Sequence, residues 1–520
     1  SQLPNMFEYL WDAVFSGLIL FVITLILAYV YGTSTYNFWK KLDIPYIKPK
    51  YPFLGTSYET AFSLKPTHLK QLEYYEHFEG KKYGGIYAFT NPVLFIRDPD
   101  LIESVLIKDF KSFYNRGTNS DPNFDPLSAN LVFLEDTDWK ILRQKLSPVF
   151  SSGKLKGMLP QLIECAEKLN KCVQKFADNN EPLEIKQIMS KFSIDVVASC
   201  AFGLNINTLD NPDSIFVKLG QKVFQPCWRN RLKQTLSSQY PEMLRYLGWK
   251  SLPQRLETFF IGLVKDTISY REQNNIVRND FLQLLMELRK QDMEKLNRGE
   301  NGDENRMFMD DKLITSNAFV FFVAGFDTAA STLSYCMFEL SRNPDIQEEA
   351  YQHILEVLEK HDGQLTYDAI KDMTLINQIF AETLRMYPPG VEVRRRVTRS
   401  CVIPDTTITL PKGLRVAIPL YCLQNDPNYF PEPEKFMPER FSKENRDTIR
   451  KGTYMPFGDG PRMCIGKRFA KIEMRVALIK LLLDYKFTLN QKTITPLVFD
   501  STSFMLVPIG GLWLNVQKRQ

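Results

Sequence analysis

The sequence predicts a mainly α-helical body with a smaller β portion, preceded by a single N-terminal transmembrane helix. Three observations carry that prediction. Ala13 to Trp39 contains no charged residue, and Val14 to Tyr31 is almost wholly apolar. From about Trp139 to Phe380 apolar residues recur at helical spacing, as at Leu162, Cys165, Leu169, Cys172 and Phe176. Short strand-like runs flank that stretch, at Ile86–Thr90 and Val93–Ile96 before it and in the Pro-, Val- and Ile-rich residues 391–440 after it.

The first element is the membrane segment. About a dozen Leu, Ile, Val and Phe lie between Val14 and Tyr31, and at roughly −0.3 to −0.6 kcal/mol each they favour insertion by several kcal/mol. A cleaved signal peptide starts with basic residues, whereas Glu8 and Asp12 precede this run. Lys40, Lys41, Lys48 and Lys50 follow it and no Lys or Arg precedes it. The excess of basic residues on one flank places the N-terminal end outside or in a lumen and the body in the cytoplasm. Pro45, Pro49 and Pro52 stiffen the connection. The expected division is an anchor segment over residues 1–39, a basic Pro-containing linker over 40–55 and one body over 56–520.

Composition narrows what the body does. The chain has 520 residues, of which 44% are apolar, 24% charged and 13% aromatic; these shares exclude a disordered, collagen-like or multi-span chain. A net charge of +5 is small for this length, so no nucleic-acid partner is implied. The eight cysteines form no CxxC pair, and the four histidines form no HExxH. Metal chemistry, if present, rests on sulfur.

Within the body, residues 298–311 are rich in Gly, Asn, Asp and Glu and predict an exposed loop. Leu313 to Leu340 is apolar nearly all round, which predicts a central buried helix stopped at Asn343-Pro344. A further helix is expected from about Gly466 to Leu483, then hairpins after Tyr485.

The most informative segment runs from Phe457 to Gly466, with Gly460, Arg462 and a single Cys464 between them. Glycines let a flat ligand approach the backbone, and the helix start beyond Gly466 aims free N–H groups and the positive end of its dipole at the cysteine. Both effects favour a thiolate. Arg462 suits a carboxylate of a bound group. This segment resembles the cysteine-ligand loop of the cytochrome P-450 heme-thiolate monooxygenases, F-x-x-G-x-R-x-C-x-G, at every fixed position. The resemblance implies that Cys464 supplies the proximal thiolate to the iron of heme b. It also implies that Phe457 packs on the sulfur side and that Arg462 reaches a heme propionate.

Four further segments match the same family in the expected order. Glu382-Thr383-Leu384-Arg385 resembles its E-x-x-R motif, and Pro438-Glu439-Arg440-Phe441 supplies the partner arginine. A buried Glu382–Arg385–Arg440 network is thereby implied. Ala324-Gly325-Phe326-Asp327-Thr328 resembles the oxygen-activation motif. There Thr328 would hold oxygen and a water, Asp327 would feed protons, and Gly325 would leave room for oxygen. Trp139 and Arg143 match a W-x-x-x-R helix that binds a propionate. The arginine expected after Tyr387-Pro388-Pro389 is one of Arg394, Arg395 and Arg396, and register against the family favours Arg396. The finer texture, including Leu146-Ser147-Pro148 and Phe150–Lys154, is most similar to arthropod microsomal members of the xenobiotic-metabolising type.

No G-x-G-x-x-G follows a strand and no P-loop occurs, so the chain shows no nicotinamide or flavin site of its own. The resemblance implies electrons from NADPH through a separate FAD/FMN protein, NADPH–cytochrome P-450 reductase, with cytochrome b5 as a second donor. Lys140, Lys145, Lys451, Lys467 and Arg468 are candidates for its docking patch. The implied location is the cytoplasmic face of the endoplasmic reticulum membrane, and the implied substrate a lipophilic small molecule. Substrate contacts are expected in 115–133, 223–228, 390–393 and 501–504 and at Phe321 and Phe322. Two alternatives remain open at this point: an isomerase or dehydratase on the same fold, against which Asp327-Thr328 argues, and a non-catalytic heme sensor or ligand-binding protein.

Overall fold

Leu3–Thr33 forms one helix of 31 residues. Its segment Phe7–Thr33 has a mean hydropathy of 2.6 and its most apolar window is not buried by protein, so it is long and apolar enough to cross a membrane. This computed structural model describes residues 3–118, 121–211, 213–224, 227–250, 253–298 and 307–519. Most of the exposed loop expected over 298–311 lies outside the described residues. So do residues 119–120 and 225–226 of the expected substrate segments, and the side chains at 223 and 224.

Asp311–Arg342 is the central helix. It too is long and apolar, but 72% of its most apolar window is covered by protein, so it is a core helix. Ile185–Val197, Gln254–Gln273, Thr374–Met386 and Lys467–Asp484 pack around it. Asp310 caps its start by accepting from Leu313 N at 2.7 Å. Asn343, followed by Pro344, ends it and begins the next helix.

The β portion is small and lies to one side. A four-stranded sheet runs in the order Tyr83–Ala88, Asn91–Ile96, Arg415–Ile418, Val393–Arg396. The first two strands cover the strand-like runs read at Ile86–Thr90 and Val93–Ile96 and pair as an antiparallel hairpin, with Phe89 and Thr90 in the turn. Asn91–Ile96 runs parallel to Arg415–Ile418, which pairs antiparallel with Val393–Arg396. A second sheet joins Leu183–Glu184, Trp513–Lys518 and Tyr485–Leu489 and contains the C-terminal hairpin.

Residues 39–57, most of them expected as linker, lie against the first sheet. Trp39 is fully buried and donates to Ile86 O at 3.1 Å. Tyr46 bridges to Gly85 and Gly55 to Ala88. A Cβ on Gly85 would meet the Trp39 ring at 2.4 Å, so the indole requires a glycine there.

Candidate active site

Phe457 to Gly466 folds as two tight turns ahead of the Lys467–Asp484 helix. Gly458 and Gly460 have φ of +71° and +68°, the left-handed region that disfavours any side chain. At Gly460 a Cβ would also lie 1.9 Å from Leu106 O, so the loop closes on the preceding element only with glycine there. The loop is closed by Cys464 N donating to Phe457 O at 2.8 Å. Gly466 has an ordinary φ and ample room, its nearest neighbour being Phe150 at 3.9 Å, so protein packing does not demand that glycine.

Cys464 is the one exposed cysteine among eight, all of them free. Burial raises its thiol above the ordinary value, and the Gly466 N–H, Arg116, Arg143 and Lys467 offset that rise only in part. The other cysteines with a resolved shift are pushed up chiefly by burial, Cys165 to about 12. The sulfur with a cationic surround and an amide donor is thus the one chemistry can use.

An aromatic stack ties this loop to the central helix. Phe150, next to Gly466, packs edge-on against Phe321 at 5.3 Å, and Phe281 bridges Phe321 and Phe469. Phe322 is fully buried among Phe202, Phe216 and Phe260. Both phenylalanines expected in a pocket therefore serve the packing of this helix. The helix instead opens one turn later, at exposed Ala324 and partly exposed Thr328, whose hydroxyl donates to Ala324 O at 2.8 Å. A Cβ on Gly325 would lie 3.0 Å from Val197, so close packing on the Ile185–Val197 helix explains this glycine. Asp327 is buried and paired with Lys186 at 2.6 Å.

Above Cys464 the charge is one-sided. Arg462 is buried, stacks on Trp139 at 4.0 Å and donates to Tyr114 O, Leu131 O and Leu134 O. Its donors are thus shared with three carbonyls. Burial, then Arg116 and Arg395, push its guanidinium down to about 8. Arg395 is buried, its Nε has no hydrogen-bond partner among the described residues, and burial followed by Arg116 pushes it down to about 9. Arg143 is lowered by burial and makes no ion pair among the described residues. The structure brings Arg395 into this cluster. Arg396, favoured by register, points to the opposite face of its strand, toward Glu135 at 3.7 Å.

Behind the site, Glu382 and Arg385 are fully buried and doubly hydrogen-bonded at 2.8 Å. Arg440 joins at 3.3 Å, and Met437 N donates to the same carboxylate at 3.0 Å. Gln424 completes the network: its carbonyl accepts from Arg385 and its amide donates to Leu384 O and Arg385 O.

The family model described as cytochrome P450 matches residues 46–514. The chain belongs to the cytochrome P450 family. It is similar to the Probable cytochrome P450 6a13 of Drosophila melanogaster, at 38% identity covering 95% of this chain and 97% of that one. Cytochrome P450 6B1 of Papilio polyxenes is 34% identical over 95% and 97% of the two chains, and cytochrome P450 9e2 of Blattella germanica 35% identical over 98% of each. The protein is therefore a P450 monooxygenase of an insect-like type, and its family implies a thiolate-ligated heme.

The residues present fit that group. A macrocycle with two carboxylates needs an accessible sulfur, a face without side chains and cations at least half-buried and outside any ion pair. Cys464, the unfilled space at Gly466 and the Arg116–Arg143–Arg395–Arg462 cluster meet these needs. Sequence reading missed Lys186 and Gln424 and placed Arg116 only within a substrate segment; each joins the site through a contact distant in sequence. Of the docking candidates, Lys140, Lys451 and Arg468 are exposed, whereas Lys145 is held by Asp292.

Proposed function

We propose that this P450 binds heme b through the Cys464 thiolate and inserts one atom of O2 into a lipophilic substrate, releasing the other as water. The balance needs two electrons and two protons per turnover. The observation that carries the reading is the exposed Cys464 beneath a Gly466 N–H, faced by buried Arg395 and Arg462 and half-buried Arg116 and Arg143, none of them in an ion pair among the described residues. Heme supplies the electron-rich iron at which oxygen is activated. Trp139 and Arg462 hold one edge of the group, and Arg116, Arg143 and Arg395 neutralise its propionates. Phe457 shapes the sulfur side, Gly460 fixes the loop and Gly466 leaves space for the ring. Thr328 orders a water at the helix opening, and Asp327 supplies protons to it. Glu382, Arg385 and Arg440 fix the core behind the loop, a role in specificity of geometry more than in net stability.

The electrons come from NADPH through a separate flavin reductase, with the body on the cytoplasmic face of the endoplasmic reticulum membrane. The test is the reduced carbon-monoxide difference spectrum together with turnover in a reductase-reconstituted vesicle. A Soret band at roughly 450 nm with NADPH-dependent product supports the reading, since thiolate ligation shifts the band there. A histidine-type band, or a correct band without turnover, refutes it.

A further inference from the structure

A cleft opens between residues 99–113 and the hairpin of residues 401–410, against the strand Asn91–Ile96. It holds about 360 Å³, a volume within the range of small-molecule sites. None of its lining belongs to the cysteine loop or to the central helix. Its deep part is apolar: Leu94, Leu101, Val105, Phe113, Ile403 and Leu410 line it and all are buried. Its mouth is polar, with exposed Asp109 and Arg399 and partly exposed Cys401.

Among the described residues of the lining, Asp109 and Arg399 carry the only charges, one of each sign. Each is held by a serine and not by the other. Ser104 Oγ donates to Asp109 Oδ2, and Arg399 Nε donates to Ser112 Oγ at 3.0 Å. Neither makes an ion pair among the described residues, and Asp109 Oδ1 and the two Arg399 Nη groups have no hydrogen bond there. Both charges nonetheless bear on one sulfur: burial and then Asp109 raise the Cys401 thiol, and Arg399 lowers it. An acceptor and a planar pair of donors are thus both open at one small mouth.

The cleft is preformed. Thr398, beside Arg399, is tied to the other wall, its N donating to Ser112 O at 2.8 Å and its hydroxyl to Lys111 O at 3.0 Å. Asp109 N closes the turn that carries Ser104 by donating to Ser104 O at 2.7 Å. The same wall is fixed from behind by two glycines. A Cβ on Gly452 would lie 2.6 Å from Pro99 O, as one on Gly460 would meet Leu106 O. A ligand therefore spends little on opening the site or on ordering its two charges.

One carboxylate and one guanidinium sum to zero. A pure anion would meet Asp109 and a pure cation Arg399, so the matching head is net neutral, donating to the first and accepting from the second. Behind that head the apolar lining calls for an apolar body. We propose that this cleft binds a free apolar or aromatic α-amino acid, its ammonium on Asp109, its carboxylate on Arg399 and its side chain among the buried residues. A residue within a peptide lacks one of the two charges and is not matched. The proposal does not depend on the monooxygenase reading.

The test uses the full-length, heme-loaded protein in phosphatidylcholine vesicles, titrated with L-phenylalanine. N-ethylmaleimide labelling of Cys401, read by peptide mass spectrometry, reports occupancy, because this thiol lines the cleft. L-phenylalanine should slow that labelling several-fold and saturably, while Cys227, partly exposed and outside the lining, labels as before. Phenylacetate and phenethylamine each keep the ring and one charge. They should need about tenfold or more concentration for half protection, a difference of about 1.4 kcal/mol. Asp109→Asn and Arg399→Gln should each weaken L-phenylalanine by a similar factor while keeping the parent's melting temperature. No saturable protection of Cys401, equal protection by the three probes, or undiminished protection in both variants overturns the proposal. So does binding of L-phenylalanine by equilibrium dialysis that leaves Cys401 labelling unchanged, which would place the amino acid elsewhere.

Discussion

Lys186 reaches across from the first turn of one helix to hold Asp327 on another: its Nζ lies 2.6 Å from Oδ1 of the aspartate and 2.5 Å from the Ser331 hydroxyl. Asp327 is thus a tethered carboxylate beside the helix opening at Thr328. To pass a proton toward that opening it must exchange one partner for another, so the strength of the ion pair bears on both stability and proton supply.

Lys186→Met should therefore do two things. It leaves Asp327 buried without its counter-ion, at a stability cost of about 1–3 kcal/mol, that of a buried polar group left unsatisfied and below the cost of breaking a fully buried pair because Lys186 is partly exposed. It also alters the share of NADPH recovered as product. Adding Asp327→Asn to Lys186→Met should recover most of the lost melting temperature without restoring coupling. A double variant no more stable than Lys186→Met would show that the pair is not the source of the loss.

Thr328→Ala should separate coupling from folding. The hydroxyl makes one protein hydrogen bond among the described residues, back to Ala324 O, and such a bond adds little to a helix. Melting temperature should change by no more than about 0.5 kcal/mol equivalent, as at other weakly packed positions. NADPH consumption should continue, with electrons appearing as hydrogen peroxide instead of product. Peroxide and product yields unchanged from the parent would remove Thr328 from the proton route.

Glu382→Ala should be far more damaging. The carboxylate accepts from Arg385, Arg440 and Met437 N, and Arg385 is fully buried with carbonyls of Gln424 and Pro433 on its other donors. Removing the anion strands a buried guanidinium, at a cost of about 3–5 kcal/mol. The purified variant should be poor in heme, because the segment that closes this network leads into the cysteine loop. A variant that retains a full complement of heme and the parent's melting temperature would count against the network's role.

How much of this was legible in the sequence follows from how local each feature is. The cysteine loop reads directly because its requirements are consecutive: positive φ at Gly460, a closing bond from Cys464 to Phe457, a helix start at Gly466. The central helix reads from its long, nearly unbroken apolar run, whereas residues 83–96 read only as short strand-like runs whose pairing the sequence does not announce. Glu382, Arg385 and Arg440 read only through resemblance, since nothing in an i, i+3 pair announces full burial. Lys186 could not be read at all, and Arg116 only as part of a substrate segment, because their partners lie 141 and 346 residues away. Among Arg394, Arg395 and Arg396, sequence offers three equal candidates. The strand's alternation sends Arg395 to the buried cluster and leaves its two neighbours on the opposite face.

Glu473 makes the last prediction. It lies on the Lys467–Asp484 helix, almost wholly buried, and neither carboxyl oxygen has a hydrogen-bond partner among the described residues, although Ser193 lies alongside. Burial pushes its carboxyl up to about 8. A carboxyl raised in the folded state favours folding fully below its unfolded value of about 4.3. That contribution fades as pH climbs and is lost once the folded group ionises near 8. Its titratable neighbours do not blur the window: burial holds Cys165 at about 12 and Cys200 well above its ordinary value. Glu473→Gln, which keeps the shape and cannot ionise, should match the parent near pH 4 and outstrip it progressively as pH rises toward 8, since the parent loses up to about 1.4 kcal/mol per pH unit while only its unfolded carboxylate is ionised. Thermal unfolding of both proteins across that range is the measurement. Parallel curves would show that the Glu473 carboxyl is not paying a burial penalty in the folded protein.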